Sequence, residues 1–225
     1  MNYERGIATK LKTIKDFAYE AKMSSFARQD DKTIMPDNSS VYSYRRFREH
    51  PKFAGLIYTD QYSGNIVDSG QETISLDLAP VWRNQYHGGS RAFFRPGESE
   101  LADQFESREK IHSVITAFLK QALLEMPEEF PVRGPRKFEA GAAQIGDQII
   151  SGDWLYTNEW NQLPLFETND PFASFQGLEK ISFNGKEVYF HGYQGGLIFD
   201  KYFPLKLRDG QKQQDQQEQN GGKEA

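Results

Sequence analysis

The sequence predicts an α+β fold. The expected unit is an internally duplicated helix–strand–strand–strand, forming an antiparallel sheet with two main helices packed on one side about a pseudo-two-fold axis. Three observations predict it. Two segments carry apolar residues at helical spacing. Six short stretches rich in aromatic and β-branched residues are bounded by Gly, Pro, Asn or Asp. A set of motifs then recurs in the same order. Gly70-Gln71-Glu72, Val81-Trp82 and Tyr86-His87-Gly88-Gly89 are answered by Gly177-Leu178-Glu179, Val188-Tyr189 and Tyr193-Gln194-Gly195-Gly196, each 107 residues later.

The first helix is expected from about Thr13 to Ala27, because Ile14, Phe17, Ala18 and Ala21 share one helical face. The stretch Arg28 to Lys52 is polar and reads as a loop, with turn formers at Pro36-Asp37-Asn38-Ser39-Ser40. Its aromatic and basic part, Tyr44-Arg45-Arg46-Phe47-Arg48, reads as a covering loop. Strands are expected over Leu56 to Tyr62, Glu72 to Leu78 and Val81 to Tyr86. The second helix carries Ile111, Val114, Ile115, Phe118, Leu119, Ala122, Leu123 and Met126, and Pro127 ends it. The second strand set covers Trp154 to Trp160, Glu179 to Phe183 and Glu187 to Tyr193. Asn184-Gly185 is a two-residue hairpin turn, since both residues tolerate positive φ.

The domain reading follows. Residues 1–208 form one duplicated domain with halves at about 13–90 and 108–200, and 209–225 form a disordered Gln-rich tail without a large apolar side chain. The segments Arg91 to Phe105 and Pro164 to Ser174 read as insertions.

Composition excludes several chemistries. There is no cysteine among 225 residues, hence no disulfide, thiol nucleophile or thiolate metal site. The net charge of -5 disfavours a general nucleic-acid binder. No stretch approaches the roughly 20 apolar residues of a membrane helix, and no signal peptide is evident, so the expected location is the cytoplasm.

Several motifs together resemble one family. They are Ile14-Lys15-Asp16-Phe17-Ala18-Tyr19-Glu20-Ala21-Lys22, Tyr58-Thr59-Asp60-Gln61-Tyr62-Ser63-Gly64, Pro80-Val81-Trp82 and Tyr86-His87-Gly88-Gly89 in the first half. Phe118-Leu119-Lys120-Gln121-Ala122-Leu123, Arg133-Gly134-Pro135 and Asn184-Gly185-Lys186-Glu187-Val188-Tyr189 continue the match. The chain resembles an uncharacterised bacterial domain family of unknown function. That family occurs as stand-alone proteins and behind a phage-repressor-type helix-turn-helix in regulators. The resemblance implies a sensing role and carries no catalytic residues. Only a dozen residues precede the first expected helix, so no direct DNA binding is expected.

The candidate functional residues come from the repeat. Glu72 and Glu179 hold equivalent positions and would make an acid–base pair if they shared a cleft. His87 stands where the second copy has Gln194, and is the candidate general base. Tyr58, Tyr62, Trp82, Tyr86, Tyr156, Trp160, Tyr189 and Tyr193 are candidates for an aromatic ligand pocket. Histidine spacing supports no metal site, and no cofactor is expected. The resulting expectation is a non-catalytic small-ligand-binding or regulatory module. The alternatives are an enzyme using Glu72, Glu179 or His87, or a protein-interaction module of the immunity or scaffold kind.

Overall fold

A computed structural model describes residues 2–25, 32–36, 39–44, 51–91, 97, 100–105, 107–162 and 174–198. Helix α1 spans Asn2–Ser25 and is followed by β1 (Lys32–Ile34) and β2 (Ser40–Tyr44). Three long strands come next: β3 (Leu56–Gly64), β4 (Val67–Leu76) and β5 (Ala79–Ser90). A short α2 (Glu100–Asp103) leads into α3 (Arg108–Leu124). The chain ends in β6 (Lys137–Ile145), β7 (Gln148–Gln162), β8 (Ser174–Phe183) and β9 (Lys186–Leu197).

All nine strands form one antiparallel sheet in the order β1-β2-β3-β4-β5-β9-β8-β7-β6. The predicted α+β class, with its twice-used helix–strand–strand–strand unit under two main helices, is therefore overturned. The described chain is 54 % strand and 25 % helix, so the sheet is the body of the protein and the helices are accessory to it.

The error has an identifiable cause. β1 and β2 lie in the polar stretch read as a loop, yet Ser40–Tyr44 alternates buried and half-buried positions against β3. β6, with the sequence KFEAGAAQI, is rich in Gly and Ala and lacks the β-branched signal. Each recognised strand also runs further than its apolar centre, because backbone pairing carries it through residues such as Asp68, Ser69 and Gly70.

α1 starts before Thr13, and its buried stripe is Leu11, Ile14, Phe17, Ala18, Ala21 and Lys22. That stripe packs with Tyr44, Phe53, Leu56, Tyr58, Ile74 and Trp82. α3 is capped by Ser107, whose hydroxyl accepts from the Lys110 amide at 3.3 Å. It buries Ile111, Val114, Ile115, Phe118, Leu119, Ala122 and Leu123 against Trp154, Tyr156, Ile181 and Phe183. The Asn184-Gly185 turn has φ of 48° and 76°, as a type I′ hairpin requires. The aromatic–basic residues beyond Tyr44 and the Gln-rich tail lie outside the described residues, as do much of the two expected insertions.

Candidate functional site

Period-two alternation aims one residue in two at the helix-covered face of the sheet. On the central strands those residues are not all apolar. Asp60, Glu72, Asn84, Asn158, Glu179 and His191 are each no more than 2 % exposed, and Lys22 and Arg133 join them at 5 % and 4 %. So many buried ionisable groups persist only if each is paired.

They form two centres. In the first, the Glu72 carboxylate accepts from Lys22 Nζ at 2.7 Å, Asn84 Nδ2 at 2.7 Å and Tyr58 OH at 3.1 Å. Lys22 also donates to the Val132 carbonyl. Tyr86 OH donates to Asp60 Oδ1 at 2.6 Å. In the second, Glu179 accepts from Tyr156 OH at 2.7 Å, and its other oxygen lies 3.2 Å from Arg133 Nε and 3.1 Å from His191 Nδ1. Tyr193 OH donates to Asn158 Oδ1 at 2.7 Å. The far nitrogen of His191, Nε2, lies 3.2 Å from Asp68 Oδ1.

The same backbone devices serve both centres. A Cβ added at Gly70 would stand 2.5 Å from the Tyr86 ring, and one at Gly177 would stand 2.3 Å from the Tyr193 ring. Glycine therefore lets each tyrosine lie across its neighbouring strand and reach its partner. Arg133 arrives from the α3–β6 connection, which Phe130 and Val132 anchor in the core. Its guanidinium sits 5.0 Å from the Tyr86 ring and 5.9 Å from the Tyr193 ring, between the centres.

Electrostatics separates the groups. Burial works to raise the Glu179 carboxyl, but Arg133, His191 and Tyr156 outweigh it and hold it at about 2. Burial also opposes ionisation of Glu72, and Lys22 and Arg133 outweigh it, so its pKa lies below the ordinary value. Asp60 moves the other way. Burial and the neighbouring Glu72 charge push it up to about 7, against the hydrogen bond from Tyr86. Its Oδ2 is buried and has no hydrogen-bond partner among the described residues. Burial and Arg133 favour neutral His191, yet the hydrogen bonds to Asp68 and Glu179 outweigh them and its pKa is raised. Protonated, it donates from Nδ1 to Glu179 and from Nε2 to Asp68; neutral, its Nδ1 accepts from Arg133 Nη2 at 3.0 Å.

The second centre opens to a cleft of about 690 Å³. Asp68, Arg133 and His191 contribute to its polar lining, with Tyr86 and Tyr189 beside them. Tyr42 and Tyr62, stacked at 6.1 Å, form an aromatic wall. α3 supplies His112, Ser113, Thr116 and Lys120. His112 is tied to Ser90 Oγ at 3.1 Å, and burial lowers its pKa.

The predicted residues distribute unevenly over this arrangement. Glu72 and Glu179 belong to one buried polar region but line neither this cleft nor the groove on the other face. Ionised and fully enclosed, they act as counter-ions to Lys22 and Arg133. His87 is exposed on the opposite face, paired in register with Ser69 and Gly192. Tyr58, Trp82 and Tyr156 are fully buried core residues. Tyr62, Tyr86 and Tyr189 line the cleft, while Tyr193 is buried with its OH on Asn158 and Trp160 stacks on Phe130; Tyr86, Trp160 and Tyr193 also border the groove.

Lys22, Asp60, Asp68, Asn84, Arg133, Asn158 and His191 were not singled out from sequence. Lys22 carried a signal, since a lysine four residues after Ala18 interrupts an apolar stripe. So did His191, since 191 minus 84 is again 107 and places it opposite Asn84 in the repeat. Arg133 had none, because nothing local shows that its loop dives into the core. Among the described residues, no cluster of three His, Asp or Glu side chains is arranged to hold a metal ion.

No curated protein and no solved structure is similar to the chain. A family model does match, from Asp60 in β3 to Ile198 after β9, a span that holds both carboxylate centres except Lys22, Tyr58 and the helix α1. On that match, over residues 60–198, the chain belongs to the DUF5680 family, a domain of unknown function.

Proposed function

We propose that this protein is a non-catalytic, small-ligand-binding module, with its ligand in the cleft over Asp68, Arg133 and His191. The observation that carries the reading is that this cleft joins aromatic walls to a buried, ordered charge chain with one half-exposed end, the Asp68 carboxylate at 27 % side-chain exposure. Binding sites commonly combine apolar walls with a few fixed polar groups. A polar small molecule with a flat face would stack on Tyr62 and hydrogen-bond to Asp68.

The role is regulatory: ligand binding alters the charge balance of the core, and a partner reads the change. A cytoplasmic protein of a bacterial sensing family, acting without direct DNA contact, fits the sequence resemblance. Among the described residues no helix is long and apolar enough to cross a membrane.

The test is a thermal-shift screen of a metabolite library on the wild type and Asp68→Asn. At least one compound should raise the wild-type Tm, and Asp68→Asn should abolish that shift. Compounds that shift both proteins equally would place the site elsewhere, and a library without any hit would remove the reading.

A further inference from the structure

The open face of the sheet carries a row that the sequence scatters over a hundred residues. Strand register sets Gln61 beside Gln71, Gln71 beside Gln85, Gln85 beside Gln194, Gln194 beside Gln176 and Gln176 beside Asn161. Six consecutive strands, β3-β4-β5-β9-β8-β7, thus each present one side-chain amide on a single rung. All are exposed except Gln71, which is half-buried. Gln85 donates to Gln71 at 3.5 Å, while the side chains of Gln194, Gln176 and Asn161 have no hydrogen-bond partner among the described residues.

The rung runs along a groove. One cavity of about 1160 Å³ takes in Gln85, Gln194, Gln176 and Asn161, and a second of about 460 Å³ takes in Gln61 and Gln71. They share Ser69 and Gly70, so the groove is continuous. Leu178 and Phe190 give it an apolar strip beside the amides. Midway lies Gly192, where an added Cβ would meet nothing nearer than the His87 carbonyl oxygen at 3.8 Å.

We infer that this groove binds a linear, neutral oligosaccharide. The rung is uncharged, the two charged side chains that border the groove, Arg136 and Glu159, are of opposite sign, and the net charge of -5 disfavours a polyanion. Each amide is both donor and acceptor, the pairing that a sugar hydroxyl offers in return. The groove crosses the strands, so a peptide cannot add to it by backbone pairing as it would at a sheet edge. Five strand intervals of about 4.8 Å give a rung of roughly 24 Å, the length of about five sugar rings.

The test is calorimetry with four neutral hexasaccharides: cellohexaose, xylohexaose, maltohexaose and chitohexaose. At least one should bind with a Kd below 1 mM on the scale of weak specific ligands, its trisaccharide more weakly, and salt should leave both unchanged. Gln85→Ala and Gln194→Ala should each weaken binding about fivefold, the value of one neutral hydrogen bond. Gly192→Leu should fill the notch, abolish binding and leave Tm unchanged. If Gly192→Leu fails to fold, the Gln85→Ala/Gln194→Ala double variant decides, by the same loss of binding. The inference is overturned if none of the four sugars binds, or if binding survives these variants. It is also overturned if the wild type is a dimer that Gly192→Leu dissolves, since a second copy would then occupy the groove.

Discussion

The two carboxylate centres share a scaffold and differ in chemistry. Each has a glutamate on a central strand, a tyrosine donating to it, and a second tyrosine lying over a glycine to reach a group on the next strand. In the first centre the neighbours of Glu72 are Asp60 and Asn84, and its cation is Lys22. In the second the neighbours of Glu179 are Asn158 and His191, and its cation is Arg133. The acid of one centre is thus the amide of the other, and the histidine of one is the asparagine of the other. The charged groups of the first are enclosed, with Lys22 spent on Glu72 and the Val132 carbonyl, and Tyr86 stands between Asp60 and the cleft. The second leads through His191 and Asp68 to the cleft. The lesson is that pairing needs fix the glutamates, while the groups around them decide which centre can sense a ligand.

The largest expected effect comes from removing a cation. Arg133→Met should cost about 3–5 kcal/mol, because the Arg133 charge holds both enclosed carboxylates ionised and Glu179 would keep only Tyr156 and His191. Lys22→Met should cost less, since Glu72 keeps Asn84, Tyr58 and the field of Arg133. Urea unfolding measures both, and equal costs would erase the distinction between the centres.

A smaller effect, of opposite sign, is expected at Asp60. Its carboxyl is raised from 3.8 to about 7, so the folded state holds the proton that the unfolded state releases. Asp60 therefore lowers stability progressively as pH rises from about 4 to about 7. Asp60→Asn, which copies Asn158, should leave stability near pH 4 almost unchanged and raise it by a few kcal/mol at pH 8. Melting curves across that range check it, and a loss of stability at pH 8 would contradict it.

The smallest is His191→Asn, which copies Asn84. The raised imidazole contributes stability that is fully present below pH 6.5 and fades as pH rises through its folded value. The variant should lose this alkaline decline. Imidazole resonances followed by NMR would show whether His191 titrates above 6.5.

How much of this was legible in the sequence depends on the range of the signal. Alternation and turn chemistry marked the six inner strands, since Tyr58, Ile74, Trp82, Tyr156, Ile181 and Tyr189 are apolar and bounded by turn formers. β6 has few such residues, and β1 and β2 are short and set among turn formers; all three pair with the edge of a neighbouring strand, which no local pattern records. The glutamates stood out because their motifs recur. Their burial did not, because a strand sequence does not say which face is covered. Arg133 and the amide rung depend on which strands become neighbours, and β5 beside β9 joins residues about a hundred positions apart.

The claim that the second centre serves a ligand is tested most directly by native mass spectrometry of protein taken from cell extract, wild type against Asp68→Asn. The account predicts one added mass below about 1 kDa on the wild type, in keeping with the size of molecule that such a cleft holds, and none on the variant. Bare protein in both samples, or the same adduct on both, would contradict it.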